Sequence, residues 1–231
     1  MSYYSLILLS GGIGSRMNST IPKQLIELKG NSIILYSLMA VKANVLIKEI
    51  IINYPKGMKS QIKALVKISG IDKKIVYVEA GLTRQESVYN MLKKATYSNV
   101  IIHESARPLV DAETFYNLIS SEYENCGYMI EIPFTVLEVD TQTKQVVGSF
   151  NRDKLRNVLL PQKFNTKKLL EAHELAIQAN LNYTEDASLL IENSTIKFHF
   201  LEGSNNNIKI TYPSDLVFAE AFLDIKNSVE E

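Results

Sequence analysis

Short apolar runs alternate with stretches of helical periodicity through the first half of the chain, and no other feature limits the fold as strongly. Tyr3 to Leu9 predicts a buried strand that ends at Ser10-Gly11-Gly12. The pattern then predicts helix over Ile33 to Ala43 behind an Asn31/Ser32 cap, strand over Glu49 to Asn53, helix over Met58 to Ile68 and strand over Lys74 to Val78. Helix over Arg84 to Ala95, strand over Asn99 to Ile102, helix over Ala112 to Tyr123 and strand over Tyr128 to Ile132 follow. Strands separated by helices at this spacing need crossover connections. The economical solution is a mostly parallel α/β sheet covered by helices on both faces. Ligands of such sheets sit beyond the carboxyl ends of the strands, where Ser10, Glu79 and His103 are each expected to begin a loop.

The pattern changes after Pro133. Thr135 to Asp140 and Gln145 to Phe150 are β-prone runs around the polar turn Thr141-Gln142-Thr143-Lys144, and they predict a hairpin that projects from the sheet. Its Val136, Leu137, Val139, Val146, Val147 and Phe150 need cover that a lone hairpin cannot supply. A second copy of the chain is the natural cover, so a homodimer is expected. Helix is then predicted over Thr166 to Gln178 and Asp186 to Glu192, strand over Thr195 to Leu201, and a last helix from Ser214. At 231 residues and 46% hydrophobic composition the chain suits one domain, 1–231, with a Rossmann-like sheet and a dimerisation arm at about 134–151.

Composition excludes several classes. Lys plus Arg and Asp plus Glu number 25 each, so no basic field points to nucleic acid or a membrane surface, and any anion site must be local. The single cysteine, Cys126, excludes an internal disulfide and a multi-cysteine zinc site, and its setting before an apolar run fits an inert buried thiol. No stretch approaches the length of a membrane span and no leader is evident, so a soluble, cytoplasmic protein is expected.

The chemistry-bearing motif is Ser10-Gly11-Gly12-Ile13-Gly14-Ser15-Arg16-Met17, followed by Pro22-Lys23-Gln24. Glycines directly after a strand let backbone N–H groups approach phosphate oxygens, and Arg16 and Lys23 add fixed positive charge. A dinucleotide fingerprint requires a third glycine where Met17 stands, and a P-loop requires Gly-Lys followed by Ser or Thr; neither pattern is present. By itself the loop fits both a phosphate cradle and a glycine turn flanked by solvated basic residues.

Leu9-Ser10-Gly11-Gly12-x-Gly14-x-Arg16-Met17 with Pro22-Lys23-Gln24-Leu25 resembles the signature loop of the cytidylyltransferases of the 2-C-methyl-D-erythritol 4-phosphate and ribitol 5-phosphate type. Five further blocks, in order, extend the resemblance over almost the whole chain: Gly81 to Val88, His103 to Pro108, Pro161-Gln162-x-Phe164, Thr184 to Ser188, and Asn207 to Leu216. The resemblance implies a single nucleotidyltransferase domain in which a polyol phosphate attacks the α-phosphorus of CTP, giving a CDP-polyol and pyrophosphate with Mg2+ as cofactor. It implies Arg16, Lys23 and Lys209 as the catalytic cations. Ser10, Gly11, Gly12 and Gly14 would bind the triphosphate, and Ala80, Gly81, Thr83 and Ser87 the cytosine and ribose. Glu104, Arg107 and Arg152 would bind the acceptor, with Arg152 reaching into the partner's site. For Arg84 and Ser87 an ordinary helix start is the competing reading.

Three departures fall in the region that the resemblance assigns to the acceptor: Glu104 replaces an aspartate, Leu160 a threonine, and Val136 and Leu137 an Asp-Thr pair. They leave ribitol 5-phosphate and 2-C-methyl-D-erythritol 4-phosphate as the leading acceptors, for a surface polymer or an isoprenoid route respectively. A related nucleotidyltransferase using another NTP and a sugar phosphate, and a non-catalytic nucleotide-binding relative, remain alternatives. His103 reads as a residue that orients its loop and not as a general base. Thr184, Asp186 and Asp215 read as helix caps and braces. His173 reads as part of a polar helix face, and His173 and His199 have no spacing that builds a metal site. Metal ligands are not identifiable from the sequence, and magnesium would arrive largely coordinated by nucleotide phosphates.

Overall fold

The structure, a computed structural model, describes residues 2–17 and 21–230. The strands are β1 (Tyr4–Leu9), β2 (Glu27–Leu28), β3 (Asn31–Ser32), β4 (Ile47–Tyr54), β5 (Lys74–Glu79), β6 (Asn99–Glu104), β7 (Cys126–Glu131), β8 (Leu137–Asp140), β9 (Gln145–Ser149), β10 (Arg156–Asn165) and β11 (His199–Glu202). The helices are α1 (Ile33–Lys42), α2 (Lys59–Ser69), α3 (Arg84–Leu92), α4 (Ala112–Ser120), α5 (Thr166–Gln178), α6 (Asp186–Glu192) and α7 (Pro213–Glu230). None of the described helices is long and apolar enough to cross a membrane.

Seven strands form the main sheet in the order β11-β7-β10-β6-β1-β4-β5. β10 is antiparallel to both of its neighbours, and the other six run one way. The sheet is thus mostly parallel, as expected. Alternation within the buried strands builds a core on each face. Leu6, Leu8, Ile50, Ile52 and Ile101 pack with α1, α2 and α4, while Ile7, Ile51, Val100 and Ile102 pack with α3, α5 and α6. Each of these fully buried side chains stabilises the fold by about 1.5–3 kcal/mol relative to exposure. Cys126 is buried in the first core, which pushes its thiol pKa upward, in keeping with an inert residue.

β10 is the element the apolar pattern does not reveal. Its Arg156-Asn157 start, central Pro161 and Gln162-Lys163 pair do not read as a core strand, yet Gln162 and Lys163 are buried. Lys163 is tolerated because its Nζ donates to the carbonyl and hydroxyl of Ser121, at 3.0 and 2.9 Å. Pro161 is tolerated because the pairing with β7 shifts register between Val158 and Gln162. Two predicted boundaries shift beside it. Pairing with Lys163 draws the start of β7 back to Cys126, and β11 begins only at His199, opposite Cys126. α4 ends at Ser120, short of Tyr123, and α3 ends at Leu92, short of Ala95. Ser32 precedes α1 without a side-chain capping bond, contrary to the expected cap.

The hairpin forms as β8 and β9, with Asp140 Oδ1 accepting from the N–H groups of Gln142 and Thr143 to close the turn. It pairs with no strand of the main sheet, and Leu137, Val139, Val146 and Val147 on it are exposed.

The chain runs from β1 outward to β4 and β5, then returns to place β6 on the opposite side of β1. The order reverses between β1 and β6, which is where open α/β sheets leave a crevice. Phe164, fully buried beside Phe198 with ring centroids 5.3 Å apart, secures β10 against the second core. Phe164→Ala should cost about 3–5 kcal/mol in urea unfolding; a loss under about 1 kcal/mol would show that β10 is not anchored there.

Candidate active site

A cleft of about 490 Å³ opens at the carboxyl ends of β1, β4, β5 and β6. Its floor is the turn after β1. Ser10 N–H donates to Asn53 Oδ1 at 2.5 Å, and the Ser10 carbonyl accepts from Gln24 Nε2 at 2.7 Å, so two buried amides hold the loop. Gly11 is required by the close approach of β4 and β5: a Cβ there would lie 2.5 Å from Ala80 Cβ and 2.6 Å from Asn53 Nδ2. Gly14 has φ of 71° and packs against Lys23, so a side chain there would be strained. Gly12 faces open space. The floor therefore presents backbone to the cleft, as a phosphate-binding turn must.

One wall is the turn from Ala80 to Thr83. Thr83 caps α3 by accepting from Glu86 N–H, and Ser87 Oγ accepts from Gly81 N–H at 3.0 Å while donating to the Thr83 carbonyl at 2.9 Å. Ser87 thus shapes the wall, and its hydroxyl is committed to that turn. The opposite wall is Lys209, on a segment pinned by Ile210 N–H donating to the Ala106 carbonyl at 2.8 Å. Lys23 Nζ donates to the Ile210 carbonyl at 3.0 Å, which brings the two lysines to one side of the cleft.

Electrostatics centre on Glu104, the last residue of β6 and the one carboxylate among the residues lining the cleft. Lys209 Nζ lies 2.7 Å from its carboxylate, Arg84 Nε 3.6 Å and Arg107 Nε 3.9 Å. Burial would raise the carboxyl pKa, but Lys209 and the two arginines outweigh it and hold the group at about 2. Lys23 is shifted down to about 8 by burial and by the nearby Lys209. His103 is fully buried, edge-on to Phe115, and burial with the adjacent Arg107 pushes it down to about 3. It lies within β6 rather than beginning a loop, and a neutral imidazole sealed in the core is no general base.

The structure brings together Ser10, Gly11, Gly12, Ala80, Gly81, Thr83, Ser87, Glu104, Lys23 and Lys209 around this cleft. Arg16 sits on the turn Ser15–Met17, exposed, with its guanidinium 5.7 Å from the centre of the Tyr212 ring. Residues 18–20 of the loop lie outside the described residues. Arg107 is buried behind Glu104, with Nη1 donating to the Asn207 carbonyl at 2.7 Å. Arg152 lies in a short turn beside the hairpin, donating to the Pro133 carbonyl, and is not among the residues that line the cleft. Leu160 is buried, with its carbonyl accepting from Asn207 Nδ2, and does not line the cleft either.

Sequence reasoning missed Asn53, an amide at the end of an isoleucine-rich strand, and the bracing role of Gln24. It also misplaced His173, which is fully buried with Nε2 3.3 Å from Asp186 Oδ1. The α6 cap is Glu185, accepting from Ser188 N–H, while Asp186 turns inward to Arg84. A larger hollow of about 620 Å³ between α1, α4 and α7 is lined chiefly by apolar side chains such as Met39, Val110 and Phe222. Charge, not volume, sets the smaller cleft apart.

Comparison with known proteins gives a consistent match. The sequence model of the 2-C-methyl-D-erythritol 4-phosphate cytidylyltransferase family matches residues 4–225. A 2-C-methyl-D-erythritol 4-phosphate cytidylyltransferase of Clostridium botulinum (strain Langeland) is 33% identical over 230 residues, covering 97% of this chain and 99% of that protein. The enzyme of the same name from Clostridium novyi is 33% identical over 230 residues, covering 97% and 98%. Among solved structures, 4-diphosphocytidyl-2C-methyl-D-erythritol synthase from Anaerococcus prevotii superposes with a TM-score of 0.84 at 27% identity, covering 96% of each chain. A Francisella tularensis 2-C-methyl-D-erythritol 4-phosphate cytidylyltransferase does so at 0.75 and 28%, covering 94% of this chain and 98% of that one.

The depressed Lys23 pKa sets a pH dependence. An anionic ligand favours the ammonium form, so affinity for a nucleoside triphosphate should be full below pH 8 and weaken as pH rises through about 8. Titration calorimetry across that range should show the decline in the native protein. Lys23→Arg, charged throughout, should flatten it; a decline that persists in the arginine variant would move the titrating group elsewhere.

Proposed function

This chain belongs to the 2-C-methyl-D-erythritol 4-phosphate cytidylyltransferase family, and from that premise we propose that it transfers CMP from CTP to 2-C-methyl-D-erythritol 4-phosphate, releasing pyrophosphate. The observation that carries this reading is that Lys23 and Lys209 line the same cleft as the glycine turn after β1, at the crevice between β1 and β6.

The reaction joins an acceptor phosphate oxygen to the α-phosphorus of CTP and breaks the bond from that phosphorus to the β-phosphate bridging oxygen. The nucleophile is already ionised, so no general base is needed, which agrees with a buried, neutral His103. The barrier is electrostatic: two anions approach while charge builds around the α-phosphoryl group. Lys23 and Lys209 are placed to stabilise that charge, and Arg16 adds a cation at the outer end of the loop. The Ala80 to Thr83 backbone, held in shape by Ser87, is assigned to the cytosine and ribose. Gly11, Gly12 and Gly14 with Ser10 form the triphosphate floor.

Among the described residues no cluster of potential metal ligands exists, and Glu104 is already committed to three cations. These side chains do not fit a protein-built magnesium cage. Mg2+ is assigned to the nucleotide phosphates, which would supply its ligands.

The departures noted in the sequence bear unequally on the acceptor. Leu160 is committed to the core and does not reach the cleft, while Glu104 is held by its own cations. Residues 1–231 are read as one nucleotidyltransferase domain that works as a homodimer, the exposed apolar hairpin supporting that pairing and Arg152 at its base serving the partner's acceptor phosphate.

The test is pyrophosphate release from CTP with 2-C-methyl-D-erythritol 4-phosphate, ribitol 5-phosphate and glycerol 3-phosphate in turn. The first should turn over and the others should not do so comparably; ATP and GTP should not replace CTP. Lys23→Ala should lower turnover by about a hundredfold or more. Turnover with ribitol 5-phosphate alone would reassign the acceptor, and unchanged turnover in the alanine variant would remove Lys23 from catalysis.

A further inference from the structure

Behind the cleft, charges of alternating sign run from Lys209 into the protein interior. Lys209 Nζ lies 2.7 Å from Glu104 Oε2, and Glu104 Oε1 lies 3.6 Å from Arg84 Nε. Arg84 Nη2 lies 2.6 Å from Asp186 Oδ2, and Asp186 Oδ1 lies 3.3 Å from His173 Nε2. Asp186 is 1% exposed and His173 is fully buried, and neither lines the cleft. Lys209 lies on the segment before α7, Arg84 and Glu104 come from the consecutive elements α3 and β6, and His173 and Asp186 from the consecutive helices α5 and α6.

Stability alone gives little reason for such an arrangement. Burying a carboxylate and a guanidinium is costly, and well-packed apolar groups often replace a buried ion pair without loss. The series does, however, divide the charges in a particular way. Arg84 is shared between Asp186 and Glu104, and it lies a full ångström closer to Asp186. Glu104 is therefore held only loosely by Arg84 and keeps its short contact for Lys209. Lys209 has a flexible stem and is partly exposed, so its ammonium needs a fixed anion to define its position.

We propose that Asp186 is a positioning residue for nucleotidyl transfer: by engaging Arg84 it leaves the Glu104 carboxylate free to hold Lys209 at the reacting phosphate, with His173 bracing Asp186 from behind. The proposal rests on the cytidylyltransferase reading above and extends it to residues that never touch substrate. Without the Asp186 charge, Arg84 turns its whole guanidinium to Glu104 and draws that carboxylate away from Lys209. The lysine then keeps its charge but loses its place, and misplacement by about 1 Å at a reacting centre can cost about a hundredfold in rate.

A double-mutant cycle tests this in the pyrophosphate-release assay, with native enzyme, Asp186→Asn, Lys209→Ala and the double variant. Asp186→Asn should lower kcat by about ten- to hundredfold while KM for CTP changes by less than about threefold. Lys209→Ala should absorb the defect, so the double variant should turn over no more slowly than Lys209→Ala alone. A purely structural Asp186 would give losses that multiply, and that result would overturn the proposal, as would an Asp186→Asn enzyme within about twofold of native kcat. If Asp186→Asn does not yield folded protein, Asp186→Glu, which keeps the charge but displaces it along Arg84, enters the same cycle with the same expectation and the same overturning result. A native enzyme that releases no pyrophosphate from CTP would instead overturn the cytidylyltransferase reading, and the proposal with it.

Discussion

The Glu104 carboxylate, almost wholly buried at the end of β6, meets Lys209, Arg84 and Arg107 within 4 Å. Each cation brings a different part of the chain. Lys209 carries the segment before α7, Arg84 begins α3, and Arg107 reaches the Asn207 carbonyl. A carboxylate so placed is tolerable only because the cations compensate its lost hydration. The same pairing forces the C-terminal segment against the mouth of the crevice. It thereby delivers Lys209, and through the Ile210 carbonyl also Lys23, to one side of the cleft. The lysine side of the cleft thus follows from satisfying one buried charge.

The sheet supplies the other half of the arrangement. Isoleucines and leucines of β1, β4 and β6 make a rigid centre with a core on each face. The order reverses between β1 and β6, so the loops after these strands diverge and leave room for a ligand. Ser105 Oγ, 3.2 Å from Ser10 Oγ, ties the two loops at their base. Glycine at position 11 lets the first loop lie against Ala80 and Asn53, which narrows the floor without a side chain on it. Rigid strands, a close-lying backbone and a cation wall together form the pre-arranged electrostatic environment that phosphoryl chemistry requires.

Much of this was legible in the sequence because its physical signals are local. Apolar runs such as Leu6 to Leu8 and Ile50 to Ile52 read directly as buried strands, and α5 and α6 have the predicted limits. The glycine turn after β1 announced close backbone approach. What stayed hidden depends on partners far along the chain. β10 looks like a polar loop until Ser121 is seen to satisfy Lys163 and the register shift to absorb Pro161. His173 sits among charged neighbours on α5 and reads as surface until Asp186 is found against it. Asn53 carries no motif, because its task, holding the Ser10 N–H, is set by tertiary geometry alone.

The central claim is that the ionised Glu104 organises this part of the molecule, and the stability of Glu104→Gln as a function of pH tests it most directly. Glu104 has a folded pKa of about 2 against an ordinary 4.5, so its contribution is present in full above pH 4.5 and fades as pH falls toward 2. The shift corresponds to about 3 kcal/mol. Urea unfolding should therefore find the glutamine variant weaker than the native chain by about that amount at pH 7, with the gap closing on acidification below 4.5. Equal stability at neutral pH, or a gap that does not change with acid, would contradict the claim.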